Sequence, residues 1–99
     1  MYMTNYENTK HIIKALLKQR LTGCEYAVCL YLLDELYGYM IKPQESASYH
    51  HIAGIIGFEE RQVRRSINIL VKRQILVKKV YATKFGNGYN FNDPELWQT

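Results

Sequence analysis

The chain has 99 residues, 47% hydrophobic and 22% charged, which makes it one small folded domain with a single modest core rather than a disordered basic tail. The longest apolar stretch, around Tyr26 to Leu33, is too short to span a membrane, and MYMTNYENTK lacks the basic start and apolar core of a signal peptide, so a cytoplasmic protein is expected. The net charge of +4 divides unevenly: residues 1–60 hold five bases and seven acids (−2), residues 61–84 eight bases and no acid (+8), and residues 85–99 two acids and no base (−2), the footprint of a polyanion binder.

The first helix is predicted over about Tyr6 to Gln19, with Ile12, Ile13, Leu16 and Leu17 as its apolar stripe. Lys10, Lys14 and Lys18 recur at i+4 steps on another face, most simply a solvated one. Thr22-Gly23-Cys24-Glu25 fits a capping box and starts a second helix that runs to about Tyr37. Val28, Leu32, Leu33 and Leu36 form its buried side, and Gly38 supplies the left-handed position that ends it. Tyr26, Tyr31, Tyr37 and Tyr39 read as packing at the edge of the core. Cys24 and Cys29 form no CxxC pattern and have no second ligand pair, so they read as two buried thiols.

Met40 to Ser48 is a polar loop with room for a short strand at Ala47-Tyr49. A short helix follows at about His51 to Ile56, with Ile52, Ala53 and Ile56 inward, and Gly57 makes the turn. His50 and His51 are adjacent and cannot share a helix face as a metal pair would; they read as a cap and a surface contact. A longer helix begins near Glu59 and runs to about Arg73. The period then changes: Ile75 to Tyr81 has strand character, Phe85-Gly86-Asn87-Gly88-Tyr89 reads as a hairpin turn, and Asn90-Phe91-Asn92 closes the hairpin. Asp93-Pro94-Glu95 is a helix start. This order of elements is that of a winged helix-turn-helix: mainly α with a β-hairpin wing, one domain over 1–99, the helix-turn-helix at about 51–73 and the wing at about 75–92.

On the last long helix, Val63, Ser66, Ile67 and Leu70 share one side at i, i+3, i+4, i+7 spacing, which must be core. Arg61, Arg65, Asn68 and Lys72 lie opposite, flanked by Gln62 and Ile69 on one edge and Arg64 on the other. Arg pairs with guanine O6/N7, and Asn or Gln with adenine N6/N7. Residues nearest the helix N-terminus reach the bases in helix-turn-helix docking, so Arg61, Gln62 and Arg65, with Asn68, are the expected base readers. Arg64, Lys72 and Arg73 on the helix and Lys78, Lys79 and Lys84 on the wing are the expected phosphate contacts, with a structural role also open for Arg73. Glu59 and Glu60 favour the helix dipole but would repel a phosphate placed there. No nucleophile–base–orienter set, metal-ligand cluster or Gly-rich phosphate loop is present, so no enzyme, metal or cofactor is expected.

Arg20-Leu-Thr-Gly-Cys-Glu-Tyr, Leu36-Tyr-Gly-Tyr, His51-Ile-Ala-Gly-Ile-Ile-Gly-Phe, Arg61-Gln-Val-Arg-Arg-Ser-Ile-Asn-Ile-Leu and Gly88-Tyr-Asn-Phe-Asn together resemble the N-terminal domain of phage replication initiators of the lambda replication protein O type. The likeness spans about Lys10 to Asn92, and its more specific part is the LTG-x-E helix start together with LYGY. The resemblance implies an origin-binding domain that recognises repeated, often palindromic duplex sites, commonly as a homodimer, and starts replisome assembly with helicase-loading partners. By matching position it puts Arg61, Gln62, Arg64, Arg65 and Asn68 on the recognition helix and Lys78, Lys79 and Lys84 on the wing. Two departures stand out: Gln74 occupies a position where such sequences usually have Gly, and the chain stops where those initiators continue into a helicase-recruiting region. Dimer pairing is expected through the first helix or through tyrosine and Trp97 surfaces. The alternatives are a transcriptional or copy-number repressor of the same fold, or a winged helix that docks an acidic protein partner.

Overall fold

The computed structural model describes residues 5–37, 45–80 and 87–98. Within these, four helices, α1 (Asn5–Leu17), α2 (Gly23–Tyr37), α3 (Tyr49–Ile56) and α4 (Glu60–Lys72), are joined by three strands, β1 (Glu45–Ala47), β2 (Leu76–Val80) and β3 (Asn87–Phe91), and a 3-10 turn at Pro94–Leu96. The architecture is mainly helical with an antiparallel hairpin. Gly38, Tyr39, the start of the polar loop and Lys84 lie outside the described residues, as do the side chains of Tyr37 and Lys79.

The helix starts follow from local chemistry. At α2 both halves of the capping box form: Glu25 Oε1 accepts from the Thr22 N–H at 2.9 Å, and Thr22 Oγ1 accepts from the Glu25 N–H at 3.2 Å. Ser48 Oγ caps α3 by accepting from the His51 N–H at 3.1 Å. The cap is therefore the serine, whose hydroxyl can reach back to the first turn, and neither histidine serves as one. Gly57 ends α3 at φ 78°, its N–H donating to the Ala53 carbonyl. At the end of α4 the Ile75 N–H reaches the Leu70 carbonyl and the Gln74 N–H that of Val71, both at 3.0 Å, a Schellman closure with Gln74 at φ 60°.

The core forms where α2, α3 and α4 meet the inner face of the sheet. Val28, Leu32, Leu36, Ile52, Val63, Ile67, Leu70, Ile75 and Tyr89 are fully buried, so the side of α4 assigned to the core by its spacing is the buried side. On α1 only half of the predicted stripe is core: Ile12 and Leu16 are buried, whereas Ile13 is 39% and Leu17 76% exposed. A stripe made of adjacent pairs spans more of the helix surface than one neighbouring helix can cover.

The strands differ from expectation in two respects. The short strand falls at Glu45–Ala47, and Tyr49 instead begins α3. Asn87-Gly88-Tyr89, read from sequence as part of the turn, is paired strand: Asn87, Gly88 and Tyr89 face Val80, Lys79 and Lys78 on β2. The same residues face Ala47, Ser46 and Glu45 on β1, so β3 is the central strand of three, in the order β1-β3-β2. Pairing on both sides overrides the weak strand propensity of Asn and Gly.

Candidate nucleic-acid interface

The buried side of α4 fixes which side chains face out. Arg61, Arg65, Asn68 and Lys72 are all exposed and, with Arg64 and Ile69, line one shallow open groove along the helix. Arg61, Arg65, Asn68 and Lys72 make no side-chain hydrogen bond or ion pair within the described residues. Three full positive charges and one amide are thus held on a rigid helix with their donors uncommitted. Ile69, 38% exposed, is the apolar member of that groove.

The edges of this face are engaged in different ways. Gln62 Oε1 accepts from the Glu59 N–H at 3.3 Å, so this expected base reader also closes the start of α4. Its amide donors remain uncommitted, and it lines a recess shared with Thr22, Gly23 and Arg65. The Glu59-x-x-Gln62 spacing is the signal for this role, and it is readable in the sequence. Arg64 on the opposite edge lies 3.7 Å from Glu60 and stacks over the Tyr49 ring at 5.4 Å. Glu60 is also 3.7 Å from His50 Nδ1. The Arg64 guanidinium beside Glu60 partly offsets its charge.

Tyr49 joins α4 to the hairpin and is the site member that periodicity does not reveal. Lys78 Nζ donates to its hydroxyl at 3.2 Å, at the oxygen end of the ring whose face Arg64 covers. The first residue of α3 thereby holds an arginine of α4 and a lysine of β2 side by side. Lys78 is half-buried.

Arg73 departs from the expected phosphate contact. Its Nε donates to the Gln98 carbonyl at 3.0 Å, and its two terminal nitrogens donate to the Arg20 carbonyl at 3.1 Å and Gln19 Oε1 at 2.7 Å. A fork of donors satisfied by three protein acceptors is a structural tie between the end of α4, the α1–α2 turn and the C-terminal segment. Of the lysines expected on a wing, the Lys79 side chain and Lys84 lie outside the described residues. The two cysteines are free and buried, and burial together with the nearby Glu25 carboxylate pushes the Cys29 thiol up to about 12. Among the described residues no group of three or more His, Cys, Asp or Glu is placed to hold a metal ion, and no helix is long and apolar enough to cross a membrane.

Compared with protein-family models, curated proteins and solved structures, the chain matches none.

Proposed function

We propose that this chain is a non-enzymatic, sequence-specific duplex-DNA-binding domain of the winged helix-turn-helix type, in which α4 enters the major groove and the hairpin is the wing that grips phosphate. The observation that carries this reading is the uncommitted set Arg61, Arg65, Asn68 and Lys72 on one helix face. A surface built only for solubility mixes charges of both signs, whereas this face opposes three cations and an amide with no acid. A helix with its side chains is about 10–12 Å across and the major groove about 12 Å wide, so α4 fits it in diameter. Arg61 and Arg65, near the helix start, are the guanine-reading candidates, and Asn68 and the free amide donors of Gln62 the adenine-side ones. Ile69 is the kind of side chain that packs on a thymine methyl. Arg64 and Lys78, held together on Tyr49, meet the backbone on the wing side.

Within this class the resemblance to phage replication initiators, whose more specific part is the LTG-x-E helix start together with LYGY, favours an origin-binding role. Mapping the DNA that the protein protects in its own genetic context tests it. Protection of repeated sites within a replication origin is the expected result. Protection over a promoter alone would replace origin binding with repression and leave the DNA-reading face unchanged.

A further inference from the structure

The α1–α2 turn runs beside the edge of α4 that faces away from the hairpin. Gln62, Ile69 and Arg73 mark that edge at i, i+7 and i+11. At its N-terminal end Gln62 and Arg65 share a recess with Thr22 and Gly23. At its C-terminal end Arg73 donates to the Arg20 carbonyl at 3.1 Å and to Gln19 Oε1 at 2.7 Å, and Lys18, Gln19, Arg20 and Arg73 line one pocket. The turn is thus tied to the C-terminal end of α4 by Arg73 and lies beside its start at Gln62, on the side opposite the Arg64–Tyr49–Lys78 cluster.

This turn is cationic. Lys18 and Arg20 are exposed, and their side chains make no hydrogen bond or ion pair within the described residues. The acid nearest in sequence, Glu25, is 4% exposed and holds the Thr22 N–H, so it presents little negative charge outward. A helix that fills a major groove has a phosphate wall on each side of it. The hairpin serves one wall. We infer that the α1–α2 turn, through Lys18 and Arg20, is a second phosphate-binding surface that grips the wall opposite the wing. In this arrangement Arg73 is the positioning residue: it fixes the turn from behind and leaves the flanking cations outward. The inference rests on the DNA-reading role of α4 and adds a partner strand to it.

The test compares wild type, Lys18→Ala/Arg20→Ala and Lys78→Ala by duplex affinity against salt concentration. With two phosphates released, the double variant should lose roughly 1–2 units of log–log slope, at about 0.9 per phosphate. Its base preference and melting temperature should be unchanged. Single methylphosphonate substitutions then separate contact from diffuse charge. The phosphates whose neutralisation no longer weakens the double variant should lie across the groove from those that no longer weaken Lys78→Ala. An unchanged slope in the double variant, or the same phosphates silenced in both, overturns the inference while α4 still reads DNA. Absence of duplex binding by the wild type overturns the DNA-reading role itself, and this inference with it.

Discussion

Arg65 on α4 and Arg73 at its C-terminal cap carry the same guanidinium in different surroundings. Arg65 has no protein partner among the described residues, whereas Arg73 uses three nitrogens on three acceptors. Replacing Arg65 with Ala should cost about 1–3 kcal/mol in binding a preferred duplex and relax one base position, with little change in melting temperature. Replacing Arg73 with Ala should instead lower stability by about 0.5–1.5 kcal/mol, because the hydrogen bonds that tie it to two other segments are lost and water takes over their exposed acceptors. Thermal melting and duplex titration of the two variants separate these roles. Cys29 gives a further prediction at this scale. Its thiol is pushed from 9.0 up to about 12, so both folded and unfolded chains keep the proton below 9. Between 9 and 12 the unfolded chain loses the proton while the folded one holds it, and stability falls as pH rises through that window. A chromogenic disulfide reagent at pH 8 should therefore react with Cys29 only as fast as the protein opens, and fast reaction without unfolding would contradict its burial.

At the scale of elements, short-range devices set the ends and the buried faces of the helices, and these are what the sequence makes legible. The Thr22–Glu25 box, the Gly57 turn and the i, i+3, i+4, i+7 core spacing of α4 are local patterns, and each appears in the structure. The left-handed position at Gln74 is not such a pattern; only the Gly that similar initiator sequences carry there pointed to it. Holding a non-Gly residue at φ 60° costs about 1–2 kcal/mol, part of which glycine returns as flexibility in the unfolded chain. Gln74→Gly should therefore raise stability by about 0.5–1 kcal/mol in denaturant melts, and a loss would mean that the Gln74 side chain supports the Schellman turn. What stayed hidden was non-local. Arg73 reaches partners 53 and 54 positions away, Tyr49 meets Lys78 29 positions on, and β1 pairs with β3 across two helices. Helical spacing assigns a residue to a face; it does not say what the fold brings against that face. For this reason Arg73 read as ambiguous and Asn87-Gly88-Tyr89 read as a turn; the capping role of Gln62, by contrast, is local and legible in its three-residue spacing from Glu59.

Across the whole molecule, the +8 segment between mildly acidic flanks divides by position. Arg61, Arg65, Asn68 and Lys72 form the outward face of one helix, Arg64 and Lys78 meet on Tyr49, and Arg73 is spent on the fold. Duplex affinity should accordingly fall steeply with salt, with a log–log slope of about −0.9 for each phosphate neutralised. A nearly flat salt dependence would instead favour a protein partner. The most direct test of the central claim, that α4 reads base sequence in duplex DNA, is selection of bound duplexes from a random pool at about 100 mM salt, a range where phosphate contacts are already partly screened. The wild-type protein should enrich a short motif, and the Arg65→Ala protein the same motif with one position relaxed. A palindromic motif would further indicate that two copies bind together. A pool that emerges without enrichment, or one whose motif is indifferent to Arg65, Arg61 and Asn68 alike, would contradict the claim.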